Sequence, residues 1–303
     1  MKSSASAPAK AILFGEHAVV YGKPAIAAAI DRRVTVTVSE SSSTHVTIPS
    51  LGIEHISDRP AGGILDYIGR CLELYHDSSP LDILVEMEIP AGSGLGSSAA
   101  LTVAMIGALD RYHGRDHGPG ETAARAHRVE VDVQGAASPL DTAISTYGGL
   151  VYLDSQRRVN KFEADLGDLV IAHLDYSGET ARMVAGVAER FRRFPDIMGR
   201  IMDTVEDITN TAYRELLRNN TEPIGELMNL NQGLLDSMGV STRELSMMVY
   251  EARNAGAAGS KITGAGGGGS IIAHCPGCMD DVVRALNRNW KAMKASFSPE
   301  GLI

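Results

Sequence analysis

The segment Pro90-Ala91-Gly92-Ser93-Gly94-Leu95-Gly96-Ser97-Ser98-Ala99-Ala100 constrains this chain more than any other stretch. An apolar approach, Ile83–Ile89, runs into its glycines, and an alanine-rich run leaves them, so the whole reads as strand, loop and helix. Glycines let the backbone take φ > 0 and come close to a ligand. The N–H groups of a helix starting near Ser97 present partial positive charge to an anion. The segment is therefore expected to cradle phosphate. It lacks the lysine of GxxxxGK[ST], so it is not that phosphate loop. Taken alone, a Gly/Ser-rich stretch is more often a turn or linker; the flanking strand and helix argue against that here.

With 303 residues, 44% of them hydrophobic, the chain can build one large or two ordinary domains around a substantial core. Its formal charge of −9 argues against a general surface for nucleic acid or anionic membrane. A small anionic ligand held in a local pocket is the expectation. No apolar run approaches the roughly 20 residues of a membrane span, and the opening Met1–Pro8 is too polar for a signal peptide, so a cytoplasmic protein without membrane or nucleic-acid partners is expected. Cys71, Cys275 and Cys278 fit a reducing compartment. Cys275-Pro276-Gly277-Cys278 has CxxC spacing but no second pair, and no histidine at zinc-site spacing beyond the adjacent His274. It reads as a surface turn ahead of a metal or redox site.

Alternation and β-branched content predict strands at Ala11–Phe14, Ala25–Ile30, Val34–Ser39, Val46–Ile48 and Asp82–Ile89, and helical spacing predicts helices at Gly63–Tyr75, Ser97–Tyr112 and Glu121–Val133. Beyond Asp154 the texture becomes helical, with Arg182–Arg192, Gly199–Leu217, Ile224–Met238 and Thr242–Asn254 in succession. A strand at Ser270–His274, a helix at Asp280–Asn287 and a strand near Lys294–Phe297 follow. Two α+β domains meeting around 155–165, at the polar turn Asp154-Ser155-Gln156-Arg157-Arg158, are expected.

Three further segments carry chemistry. Lys261–Ser270 contains a literal GxGxxG at Gly264, Gly266 and Gly269, but Ser270–His274 after it reads as a strand, not the helix that a dinucleotide site requires. Its glycines suit bulky substrate and phosphate groups, with a long hairpin turn as the alternative. In the run from Ala7 to Gly22, Lys10 interrupts a hydrophobic strand and Glu16-His17 follows a glycine; a snorkelling lysine and a capped turn explain these residues equally well. In Glu130–Thr142, the carboxylate of Glu130 precedes Ser138-Pro139 and another, Asp141, follows it. Ser138-Pro139 would start a helix, and an acid in the first turn stabilises it by about 0.3–1 kcal/mol, which is a structural reason for Asp141.

Taken together and in this order, the segments resemble the GHMP kinase superfamily, whose three motifs match Pro8–Gly15, Pro90–Ala100 and Lys261–Ser270. Within it, Gly15-Glu16-His17-Ala18-Val19-Val20-Tyr21-Gly22, Gln134–Thr142 and Asn229–Leu235 resemble the short, archaeal-type mevalonate kinase family. The resemblance spans nearly the whole chain and is weakest over 41–80. It implies a two-domain α+β fold with the active site in the interdomain cleft: a ribosomal-protein-S5-like, nucleotide-binding domain over 1–158 and an α/β-plait domain over 159–303.

The same resemblance implies phosphoryl transfer from ATP, with Mg²⁺, to the C5 hydroxyl of mevalonate. Gly92, Ser93, Gly94, Leu95, Gly96, Ser97 and Ser98 would hold the nucleotide phosphates. Ser98 and Glu130 would be the magnesium ligands. Asp141 would take the hydroxyl proton, and Lys10 would stabilise the attacking oxygen and the transferring group. Glu16, His17, Asp141, Thr263, Gly264 and Ala265 would line the substrate pocket. A homodimer is expected, as is common in the family. Other readings are a GHMP kinase for phosphomevalonate or another mevalonate hydroxyl, and a ligand sensor on the same fold.

Overall fold

The computed structural model describes residues 2–57, 60–75, 79–89, 93–135, 137–167, 169–176 and 178–303. Its first half is organised by two long antiparallel strands, β1 (Lys2–Phe14) and β2 (Ala25–Glu40). Alternation along β1 turns Ala9, Ala11 and Leu13 to one face, while Lys10 and Ile12 fall on the other. Helix α2 (Ser97–Tyr112) packs against both strands and is buried along most of its length. The small alanines of β1 make room for it.

Around this pair the sheet is completed by β3 (His45–Ile48), β4 (Ile53–Ile56), β5 (Leu81–Met87), β6 (Leu150–Leu153) and β7 (Val159–Phe162), in the order β4-β3-β5-β2-β6-β7 with β1 paired to β2. Helices α1 (Ile64–Glu73), α3 (Pro119–Gln134) and α4 (Pro139–Tyr147) pack around α2. The second half has a four-stranded antiparallel sheet, order β11-β8-β10-β9, built from β8 (Leu169–His173), β9 (Gly259–Thr263), β10 (Ser270–His274) and β11 (Lys291–Ala295). Helices α5 (Thr180–Arg193), α6 (Pro195–Leu217), α7 (Ile224–Ser237), α8 (Arg243–Asn254) and α9 (Met279–Leu286) supply the rest.

Several expectations differ from this architecture. The two strands expected over 25–30 and 34–39 are one strand with an irregularity between them: the pairing with β1 shifts between Ile30 and Arg33, where Arg33 sends its guanidinium to Ser6 Oγ (2.7 Å), Ser6 O (2.9 Å) and Ser298 Oγ (3.1 Å). β1 begins at Lys2, far ahead of the expected Ala11. Its serines and alanines carry little strand signal, and Pro8 sits at a register shift where no ladder donor is needed. The expected division at 158/159 falls between the paired strands β6 and β7. The last residues also return to the first half: Phe297 bridges Ile30, and Ile303 exchanges backbone hydrogen bonds with Ser6. One apolar cluster runs from Leu13 and Val103 through to Ile171, Ile208 and Ile272, so the halves share a core.

Candidate active site

A cleft of about 640 Å³ lies where the halves meet, and the segments singled out from the sequence line it. On one wall, the loop before α2 places Gly94 and Gly96 with φ of +72° and +75°, and Gly96 takes the N-cap position. A Cβ on Gly96 would come within 2.7 Å of the Lys10 side chain, so glycine is required both for the turn and for the lysine lying against it. The Lys10 backbone N–H also donates to Leu95 O at 2.9 Å. Ser97 and Ser98 line the cleft at the start of α2, whereas the Ser93 and Leu95 side chains are buried beneath the loop. Gly92 lies outside the described residues.

The cleft is also lined by the turn joining β9 to β10, an antiparallel pair in which Thr263 faces Ser270, with Gly264 and Gly269 packed beside Gly94 and Ser93. A strand, not a helix, follows the glycines, which excludes a dinucleotide fold. The turn is thus both a hairpin and a lining of the cleft. Gly266, at φ +77°, lies against the Val240 carbonyl where a Cβ has no space. Hydrogen bonds dock this hairpin on the first half. Ile12 N–H donates to Thr263 Oγ1 (2.8 Å), which donates back to Ile12 O (3.1 Å), and Ser270 Oγ donates to Ser93 O (2.6 Å). His17 Nε2 lies 2.9 Å from Ala265 O. A carbonyl only accepts, so Nε2 carries the proton and Nδ1 remains an acceptor. Burial pushes the His17 pKa down, which keeps the ring neutral.

In the same cleft Lys10 Nζ stands 3.3 Å from Asp141 Oδ1, the lysine buried and the aspartate open to the cleft. Asp141 is in the first turn of α4, which Ser138 caps by accepting the Leu140 N–H at 3.2 Å. Ser98 Oγ donates to Glu130 Oε1 at 2.8 Å. Burial first, and the charge of Asp141 second, raise the Glu130 carboxyl to about 7, while the Ser98 hydrogen bond and Lys10 act in the opposite sense. No cluster of three or more His, Cys, Asp or Glu arranged for a metal occurs among the described residues. One hydroxyl and one carboxylate nevertheless fit magnesium, which keeps waters and takes further oxygens from a nucleotide. A buried carboxylate with so raised a pKa is a group that a cation would stabilise in its charged form.

Glu16 lines the cleft, but both its oxygens are engaged: Lys261 Nζ pairs with Oε1, and Asn231 Nδ2 donates to Oε2 at 3.3 Å. Lys261 and Glu16 are buried completely or nearly so. Residues that the sequence reading did not single out also contribute. Gln134 Nε2 bridges Glu130 (3.4 Å) and the Tyr67 hydroxyl (2.9 Å), and Arg157 reaches the cleft. Asp154 holds the Arg157 turn by accepting from the N–H groups of Gln156 (2.9 Å) and Arg158 (2.8 Å), with Arg157 at φ +63°. Nothing in a polar turn distinguishes such an arginine until the turn is seen beside α4.

The family model described as GHMP kinases N terminal domain matches residues 64–149, and that described as GHMP kinases C terminal matches 212–292. Over all 303 residues of both proteins, the chain is 94% identical to the mevalonate kinase of Methanothermobacter thermautotrophicus. It belongs to the mevalonate kinase family of the GHMP kinases. The mevalonate kinase of Pyrococcus horikoshii is 39% identical, with 93% of this chain and 91% of that protein covered. Among solved structures, the Methanococcus jannaschii mevalonate kinase superposes with a TM-score of 0.85 at 26% identity, covering 98% of each chain. The L. major mevalonate kinase, solved in complex with R-mevalonate, gives 0.83 at 25% identity over 98% of this chain and 96% of that one. The lysine, aspartate and glycine segments described above thus line the cleft of a mevalonate kinase family member.

Proposed function

We propose that the protein transfers the γ-phosphoryl group of ATP to the C5 hydroxyl of (R)-mevalonate, forming 5-phosphomevalonate and ADP for isoprenoid precursor synthesis. The observation that carries this reading is the Lys10–Asp141 pair, set in the cleft that both glycine segments line. Phosphoryl transfer asks a protein for positioning, charge neutralisation and a proton acceptor. The Gly94–Ser98 backbone at the start of α2 receives the phosphates, since its N–H groups and helix dipole favour anions. Asp141 accepts the proton from the C5 hydroxyl. Lys10, 3.3 Å away, offsets negative charge on the attacking oxygen. Ser98 and Glu130 would hold Mg²⁺, which when bound neutralises phosphate charge.

His17, fixed by Ala265 O, keeps its Nδ1 lone pair as an acceptor for a substrate hydroxyl. Arg157 supplies a cation for the mevalonate carboxylate, to which Lys10, paired with Asp141, is not committed. A cytoplasmic homodimer completes the reading. Among the described residues no helix is long and apolar enough to cross a membrane, and sedimentation equilibrium tests the dimer.

An ADP-release assay with Mg²⁺-ATP, offering mevalonate, phosphomevalonate, homoserine and galactose separately, with phosphorus NMR of the product, tests the assignment. A 5-phosphate from mevalonate alone is expected; turnover only on another substrate, or none, overturns it.

Two variants probe individual roles. Glu130→Gln is expected to raise the magnesium concentration for half-maximal rate by roughly 10–100-fold, the range found even for groups that merely support a metal ligand. A magnesium titration superimposable on wild type removes Glu130 from the metal site. Arg157→Met is expected to raise the KM for mevalonate by roughly 10–100-fold, as loss of a hydrogen bond to a charged group worth about 1.5–3 kcal/mol implies, with the KM for ATP unmoved. Equal changes in both would assign Arg157 to the cleft's architecture and not to the carboxylate.

A further inference from the structure

The Cys275–Cys278 pair takes no part in the phosphoryl-transfer site. It sits at the far end of β10, where the chain leaves the sheet and enters α9. Cys278 N–H donates to Cys275 O at 3.1 Å, and Gly277 has φ +71° behind Pro276, the arrangement of a type II turn. Such a turn holds its first and fourth Cα atoms within about 7 Å. A disulfide requires about 4.4–6.8 Å, a range that the span of such a turn overlaps.

The two thiols differ in access. Cys275 is fully buried in the core of the second half, and Cys278, at the N-cap of α9, is only partly covered. Each donates to a carbonyl, Cys278 Sγ to Gly256 O at 3.2 Å and Cys275 Sγ to Ala273 O at 3.5 Å. The third cysteine, Cys71, is an internal control: it is buried under α2, and burial pushes its thiol pKa far up.

We infer that Cys275 and Cys278 form a dithiol modification site that closes to an intramolecular disulfide by exchange with a small-molecule disulfide. Cys278 loses its proton to water and its sulfur attacks one sulfur of the reagent. A mixed disulfide forms and the first thiolate leaves. Cys275 then attacks Cys278 Sγ, and its proton goes to the second thiolate, which leaves as a thiol. The protein dithiol is oxidised by two electrons and the reagent is reduced to two thiols. Closure takes the Cys278 Sγ hydrogen bond away from Gly256 O, so the modification is felt at the turn between α8 and β9.

The test incubates the folded full-length chain with oxidised glutathione, quenches in acid, and alkylates under denaturing conditions with N-ethylmaleimide for intact mass and peptide mapping. Wild type is expected to carry a Cys275–Cys278 disulfide, with maleimide on Cys71 alone, and dithiothreitol is expected to restore alkylation of all three cysteines. Cys275→Ser is expected to stop at one glutathione on Cys278, and Cys278→Ser to take none. Circular dichroism confirms that each variant is folded. Wild type in which all three cysteines are alkylated after oxidation overturns the proposal. So does a glutathione that stays on Cys278 while Cys275 remains alkylatable, because the turn then fails to bring the sulfurs together.

Discussion

Asp141→Asn is expected to lower kcat by roughly 10²–10⁴-fold, the usual worth of a positioned general base, while affinities for mevalonate and ATP stay close to those of wild type. Asparagine keeps the shape of the side chain and its place in the first turn of α4, so the walls of the cleft are undisturbed. It cannot take the hydroxyl proton. The stability effect is small by comparison, because an acid in the first turn of a helix contributes only about 0.3–1 kcal/mol. Lys10, left without its partner at 3.3 Å, still neutralises charge, so some turnover remains. Steady-state kinetics beside a thermal melt check this. Turnover equal to wild type removes Asp141 as the base, and a loss confined to KM reassigns it to substrate binding.

Lys261→Met is the substitution expected to damage the fold most, by about 3–5 kcal/mol, because it strands the buried Glu16 carboxylate with only Asn231 at 3.3 Å. Burial works to lower the Lys261 pKa, and the charge and hydrogen bond of Glu16 oppose it, so each ion depends on the other. The pair ties β9 to the segment that follows β1, across the seam between the halves. Its loss should therefore loosen the hairpin wall as well as the core. Replacing both partners, Lys261→Met with Glu16→Leu, is expected to recover most of the stability, since apolar replacements of a buried ion pair are often neutral or better. Denaturant unfolding of both single variants and the double variant forms the test. Additive losses would mean that the two charges do not depend on each other.

Much of the architecture is written locally. Helix α2 begins and ends where the sequence predicts, at Ser97 and Tyr112, because its glycine turn, hydroxyl pair and apolar run are local chemistry. Strand β10 is likewise where Ser270–His274 predicts it, which excludes the dinucleotide reading. By contrast β8 and β9, buried at every position, show no alternation because both faces are covered, so period-two patterning does not mark them.

The chemistry divides in the same way. Residue types and their order are enough to place the chain in its family, and they mark the glycine segments, Lys10, Ser98, Glu130 and Asp141 as candidates, while the CxxC spacing reads from sequence as a surface turn. Only the tertiary structure decides that Lys10 meets Asp141, that Glu16 spends its charge on a lysine 245 residues away, that a polar turn delivers Arg157, and that Cys275 is buried while Cys278 is not. Backbone conformation is set by neighbours in sequence, so it can be read from them. Proximity, desolvation and the pKa of Glu130 arise from segments brought together by packing, and no local pattern encodes which distant residue will stand opposite.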